Sequence, residues 1–190
     1  MSELTRTFIA VDFDNPVIVE RAVETQRTLS EAGAVMKPVE PQNLHITIWF
    51  FGELDRGRLE LVLNEAKQVK FRPFKVEVRG VGYFPGGNRV NVIWLGIVDP
   101  DGGFKTIFDQ LVDRLRRKGF RYDERGFKPH LTIARVKYVK DKQRLLNTLR
   151  EMRETRFGEQ LIDKLKVKKS VLTGRGPIYS DLLVVEASED

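Results

Sequence analysis

Cysteine is absent from this 190-residue chain, and histidine occurs only twice. The first absence excludes disulfides, thiolate zinc centres, iron–sulfur ligation and a thiol nucleophile. The second leaves no three-histidine metal site, since two imidazoles would bind a metal only with carboxylate help. Long apolar runs are missing as well. The run entered at Phe8 breaks at Asp12. That is too short for a signal-peptide core or a membrane span, and no window approaches ~18 uninterrupted apolar residues. A water-soluble, cytoplasmic protein with no membrane partner is the expectation. With 41% hydrophobic and 32% charged residues, the chain can build a core in one domain or two small lobes, domains running to ~100–200 residues. Its 33 Lys+Arg against 27 Asp+Glu leave +6. That balance favours anionic partners, phosphates first, though it serves solubility equally well.

Thr7–Phe13 reads as a buried strand. Asn15 and Pro16 open a helix as N-cap and first helical residue. It runs to about Ala32, stops at Gly33, and turns Val19, Ala22, Val23 and Leu29 inward. Leu44–Phe51 is β-rich. Asp55 caps a second helix, along which Leu59, Val62, Leu63 and Ala66 recur at helical spacing. Phe74–Val81 alternates as a strand, and Pro85–Asn88 reads as a turn. The second half repeats the order: strand Val92–Val98, a helix striped by Phe104, Ile107, Leu111 and Leu115, strand His130–Val136, and a helix marked by Leu145 and Leu149. Strands near 165–172 and 182–187 follow, around the Gly174–Pro177 turn.

His45 and His130 lie 130 − 45 = 85 residues apart. The same offset carries 7–13 onto 92–98 and 17–32 onto 102–117. One offset serving strand, helix and motif indicates an internal duplication, with repeats of roughly 5–85 and 90–188 inside a single two-lobed domain spanning 1–190. A site made from equivalent strands would lie between the lobes.

The histidine settings are near-identical, Leu44-His45-Ile46-Thr47-Ile48 and Pro129-His130-Leu131-Thr132-Ile133. In a strand, residues i and i+2 share a face at roughly 6.6 Å. Each strand therefore buries an aliphatic face and displays an imidazole beside a hydroxyl. With 10 Thr in 190 residues, both histidines carry Thr at +2 by chance about once in 360, treating the motif as a hypothesis. Two imidazoles, one neutral and one protonated near pH 6.5, supply a general base and a general acid. Threonine hydroxyls with nearby backbone N–H groups can hold phosphate oxygens. In-line attack at phosphorus places nucleophile and leaving group on opposite sides, the placement that two histidines related by a twofold axis provide.

The segments RTFIAVDF, NLHITIWFFGEL, GVGYFP, VIWLGI, FKPHLTIARVK and GPIYSDL resemble the two-histidine phosphoesterase superfamily. Within it they are most similar to the RNA 2′,3′-cyclic phosphodiesterases, also called 2′-5′ RNA ligases. The resemblance covers essentially the whole chain. It implies an α/β (α+β) bilobal fold, with two pseudo-symmetric lobes, each an antiparallel-rich sheet with outer helices, around a central cleft. It implies hydrolysis of RNA 2′,3′-cyclic phosphate ends to 2′-phosphates, without metal or cofactor, and a weak reversible 2′-5′ ligation. RNA ends, including tRNA-derived ones, are the implied partner; no obligate protein partner is expected, and a monomer is the default.

By motif position, His45 becomes the proton donor, His130 the proton acceptor, and Thr47 and Thr132 the phosphate ligands. Arg135 matches an arginine of the subfamily and is read as a substrate or phosphate contact, with a strand-end surface arginine as the alternative; its parity sets it opposite the histidines, so direct contact needs a twist or bulge near Ala134. Trp49 and Phe50 stand where the family carries small or aliphatic residues. Trp49 shares the parity of His45 and is a candidate to narrow the cleft or stack on a base, with a core or rim tryptophan as the equal alternative. Phe84, in Tyr83-Phe84-Pro85, is a second stacking candidate. Arg89, Arg121, Arg125 and Lys128 are read as solvated loop charges with a route to the rim, and Lys164, Lys166 and Lys168 as one solvated strand face. Three rivals stand beside this reading: a phosphodiesterase for small cyclic nucleotides or 2′-5′ oligoadenylate, a non-catalytic RNA-binding module, and a metal-dependent hydrolase using both histidines with carboxylates.

Overall fold

The computed structural model describes residues 3–123 and 125–189. In chain order its elements are β1 (Thr5–Asp12), α1 (Pro16–Glu31), β2 (Ala34–Pro38), β3 (His45–Leu54), α2 (Arg56–Ala66), β4 (Phe74–Gly86), β5 (Arg89–Val98), α3 (Gly103–Arg116), β6 (His130–Val139), α4 (Lys142–Glu151), β7 (Arg156–Ile162), β8 (Lys164–Thr173) and β9 (Gly176–Glu186). The strands form two sheets, in the orders β3-β1-β8-β9 and β2-β6-β5-β4-β7. Every pairing is antiparallel.

Local chemistry starts the helices where expected. The Asn15 side chain accepts the Val17 N–H at 2.9 Å, with Pro16 following. Asp55 and Asp141 accept from Arg58 and Arg144 at 2.9 and 3.0 Å. These contacts satisfy amides that the first helical turn leaves without partners. For α3, Gly102 takes a left-handed conformation, and the Asp99 carboxylate accepts from Gly103 and Phe104 instead.

The repeat is visible, and its halves are interlaced. β1 and β3 lie in the first sheet, β5 and β6 in the second, yet β4 pairs with β5 and β8 pairs with β1. Helix α1, which leaves β1, packs on β2, β6 and β7 of the second sheet; α2 packs on β1, β3 and β9 of the first and also meets α3. Each lobe therefore takes elements from both halves, and the repeat boundary in sequence is not a boundary between sheets. Ile9, Val11, Ile46 and Ile48 are buried in the first sheet, and Ile93, Leu95, Leu131 and Ile133 in the second. This is the period-2 arrangement of sheets with one face on a core. The opposite faces are left to side chains of another kind.

Three local expectations change. In α1 the buried face is Ile18, Ala22, Thr25, Gln26 and Leu29, with Val19 and Val23 only partly covered. Strands β2 (AVMKP) and β7 (RFGEQLI) arise where short or polar segments gave no strand signal. Pro85 and Gly86 belong to β4, whose hairpin with β5 turns at Gly87–Asn88.

Candidate active site

The two motifs open β3 and β6, and their burial runs in parallel. His45 and His130 are half-buried, Ile46 and Leu131 buried, Thr47 and Thr132 half-buried, Ile48 and Ile133 buried. The next residues, Trp49 and Ala134, are buried too. Two consecutive inward residues break the period of two, and the pairing shows the cause. Thr47 faces Ala10 and Trp49 faces Ile9, leaving Ile48 without an opposite residue. Thr132 faces Trp94 and Ala134 faces Ile93, leaving Ile133 without one. Each strand thus carries a β-bulge at the same point of its motif, and bulges re-aim the side chains that follow.

The bulges settle two of the sequence expectations. Arg135, opposite Val92, returns to the face of His130 and Thr132, which meets the condition its parity had imposed. Trp49 leaves that face. It is 4% exposed, stacks on Phe51 at 5.3 Å and meets Tyr122 edge-on at 4.9 Å. It is therefore a core residue and neither narrows the cleft nor stacks on a base. Phe50 takes the outward position instead, 50% exposed, with the Arg6 guanidinium 4.6 Å above its ring. Both bulge carbonyls are held. The Tyr122 hydroxyl donates to Ile48 C=O at 2.9 Å. The Gln26 amide and the Val39 N–H each donate to Ile133 C=O at 2.8 Å.

The imidazoles are oriented alike. Nδ1 of His45 donates to the Asn43 carbonyl and Nδ1 of His130 to the Lys128 carbonyl, both at 2.7 Å. A carbonyl only accepts, so Nδ1 carries the proton and Nε2 is the nitrogen left for chemistry. Nε2 of His45 lies 3.0 Å from the Thr47 hydroxyl. Aromatic rings wedge each imidazole: Phe8 at 5.2 Å and Tyr179 at 5.3 Å for His45, Phe84 at 5.3 Å and Trp94 at 6.2 Å for His130. Phe84 therefore packs edge-on against a motif histidine. Trp94 lies flat across Gly82, where a Cβ would stand 2.2 Å from the indole.

Charge is arranged asymmetrically. Asp12 is the cross-strand partner of His45, whereas Gly96 faces His130. Asp12 and Gly96 are 96 − 12 = 84 apart while the histidines are 85 apart, because the segment leading into the second motif is one residue longer; by register β5 therefore matches β1 at an offset of 84 and not at the 85 expected from the sequence. Lys166 Nζ bridges Asp12 and Asp181 at 2.8 Å each, and Lys168 Nζ bridges the same pair at 2.9 and 3.0 Å. The Lys168 side chain is only 9% exposed. This closed network replaces the solvated lysine face expected from the sequence. Burial holds the His45 pKa below the usual histidine value, against the raising effects of the Asn43 carbonyl and Asp12, with Lys168 adding to the lowering. Burial raises the Tyr179 hydroxyl against the opposing charges of Arg135 and Arg6. The two motif-bearing strands, β3 of the first sheet and β6 of the second, are in contact. Asn43 also donates to Pro177 C=O at 3.3 Å, tying the β8–β9 tip to the first motif.

Arg125 pairs with Asp123 at 2.7 Å on the exterior, and Lys128 contributes its carbonyl to His130. Among the described residues no three His, Cys, Asp or Glu side chains gather to hold a metal ion. Sequence reasoning missed Phe8, Asp12, Trp94, Lys166, Lys168, Tyr179 and Asp181. Their only sequence signal was that most lie inside the segments carrying the family resemblance.

Comparison with known proteins agrees with this geometry. Residues 14–94 and 98–179 each match the model for LigT-like phosphoesterase, so both halves match separately. The chain is 37% identical over 181 residues to the RNA 2′,3′-cyclic phosphodiesterase of Archaeoglobus fulgidus, covering 95% of this chain and 99% of that one. It is 35% identical to its namesake from Methanothermobacter thermautotrophicus, covering 94% and 97%. The Thermus thermophilus protein TT0787 superposes with a TM-score of 0.79 at 26% identity, over 95% of this chain and 97% of that one. Escherichia coli LigT complexed with 3′-AMP shares the fold, with a TM-score of 0.71 at 22% identity over 99% and 100%. With a duplicated sequence motif, matching bulges and a family model that fits both halves, the chain belongs to the LigT-like phosphoesterases.

Proposed function

We propose that the cleft hydrolyses RNA 2′,3′-cyclic phosphate ends to 2′-phosphates, with His130 as general base and His45 as general acid. The observation that carries this reading is the pair of imidazoles with Nδ1 tied to backbone carbonyls and Nε2 on the side of a threonine hydroxyl, that of His45 within 3.0 Å of Thr47. The names of the 35–37% identical relatives support the substrate.

Nε2 of His130 takes a proton from water as the water oxygen bonds to phosphorus. The bond from phosphorus to the 3′-oxygen breaks, and Nε2 of His45 delivers its proton to that oxygen, leaving a 3′-hydroxyl and a 2′-phosphate. Thr47, Thr132 and Arg135 hold the non-bridging oxygens. Burial favours neutral His45 in the free protein, so the donor depends on its substrate: a phosphate anion beside the ring raises the imidazole pKa. A 5′-hydroxyl of a second RNA in place of water gives 2′-5′ ligation by the same proton transfers. The same reading has a monomer acting in the cytoplasm, with tRNA-derived ends among its substrates.

The test is an RNA oligonucleotide ending in 2′,3′-cyclic phosphate, incubated with protein in EDTA. A 2′-phosphate product is expected; a 3′-phosphate, or activity that EDTA abolishes, contradicts the mechanism. His45→Ala and His130→Ala should each lose at least ~10²-fold in kcat.

A further inference from the structure

From Arg135, which the proposed reaction already uses, β6 runs on into a second feature that this reaction does not use. Arg135 faces Lys37 across the β2–β6 pairing, and Tyr138 faces Val35, with Lys137 left over at a further irregularity. Arg135, Lys137, Tyr138 and Lys37 are therefore presented together past the motif, all exposed, with Tyr138 at 58%. Among the described residues none of the three cations has a carboxylate partner.

The duplication supplies an internal comparison. Eighty-five residues earlier, positions 50, 52 and 53 of β3 are Phe, Gly and Glu. The same backbone frame thus offers two cations and a phenol on the second sheet, and on the first a ring under Arg6, no side chain and a carboxylate paired across the strands with that same Arg6. β2, which supplies Lys37, has no counterpart either, since 119–123 form no strand.

We infer that the single-stranded RNA upstream of the terminal cyclic phosphate leaves the cleft over β6 and not over β3. Upstream of the terminal phosphate held at Arg135, its phosphates lie on Lys37 and Lys137, and an upstream base stacks on Tyr138. The inference rests on the proposed function for the position of the terminal phosphate. Unpaired cations attract and order a nucleic-acid backbone, and an exposed aromatic ring takes any base face. Residues 135–138 span roughly 10 Å at ~3.3 Å per residue, which carries the contact surface beyond the terminal nucleotide. On the first sheet the one cation at the matching place, Arg6, lies across from Glu53, so that side offers the backbone no net positive charge.

The experiment compares kcat/KM for a 2′,3′-cyclic mononucleotide with that for a tetranucleotide ending in the same group. The tetranucleotide should be favoured. Tyr138→Ala should lower the tetranucleotide-to-mononucleotide ratio about tenfold. Lys137→Ala should flatten the salt dependence of the tetranucleotide reaction by a log–log slope of about 0.7. Glu53→Ala, on the first sheet, should leave the ratio in place. A wild-type ratio near one, a ratio insensitive to Tyr138→Ala and Lys137→Ala, or an equal fall in Glu53→Ala overturns the route. Failure of the wild-type protein to hydrolyse either substrate would instead overturn the proposed function.

Discussion

Lys168→Met tests whether the Asp12–Lys166–Asp181–Lys168 network sets the field at His45. The substitution keeps most of the buried stem and removes a cation that bonds Asp12 at 2.9 Å and Asp181 at 3.0 Å. Two carboxylates then share Lys166 alone, and the cluster moves from neutral to one net negative charge. Asp12 lies directly across from His45, where paired Cβ atoms stand ~4.5–5.5 Å apart, so the charges lie about 7 Å apart. A unit charge there at an effective dielectric of about 20 gives 332/(20 × 7), about 2.4 kcal/mol, or about 1.7 pH units. Asp12 is 30% exposed, and screening brings the expected shift to about one unit. Its sign is upward, because a cation that disfavours imidazolium is lost and an anion is left uncompensated. The assay is the His45 Cε1–H titration by NMR, with the pH dependence of kcat/KM measured beside it. With His45 as proton donor, the alkaline limb should move up by about the same unit. Folding stability should fall by roughly 1–2 kcal/mol, less than for a fully buried pair. A folded variant in which His45 titrates as in the wild type would refute the reasoning.

Other outcomes follow from the same geometry. Because burial lowers the His45 pKa, its ring should titrate below 6.5 in the free protein when followed by NMR, and a midpoint at or above 6.5 contradicts the effect assigned to burial. Tyr122→Phe deletes the hydroxyl that caps the Ile48 carbonyl and should cost about 1–2 kcal/mol in chemical denaturation, with no change expected if water replaces it fully. Gly82→Ala places a Cβ against the Trp94 indole, which packs beside His130. Displacing the ring should cost about 1–3 kcal/mol of stability and lower kcat/KM, and an unaltered Trp94 fluorescence spectrum would contradict that displacement.

The chemical identity of the site was legible because it rests on local pattern. His45-x-Thr47 and His130-x-Thr132 need only strand parity to put ring and hydroxyl on one face. Asn15, Asp55 and Gly33 likewise mark helix ends through bonds made within a few residues. Parity also shows where reading from sequence runs out. It put Trp49 in the cleft and Arg135 outside it, and both were reversed by one extra residue at Ile48 and at Ile133. Nothing in the sequence around Ile48 announces a bulge, because a bulge is a mismatch of count between two strands. The partners of the bulge carbonyls, Tyr122 and Gln26, come from 74 and 107 residues away.

The amino-acid sequence alone determined the duplicated plan, the two imidazole–hydroxyl pairs and the absence of any thiol, since each is a matter of residue type and short-range period. Tertiary structure decided what surrounds them. It interlaced the two halves, so that β4 and β8 each complete the other half's sheet. It drew Lys166 and Lys168 of an apparent solvated lysine face into a neutral cluster beside His45, leaving only Lys164 exposed. These outcomes depend on which strands lie next to one another, and therefore on long-range packing that no local pattern of residues encodes.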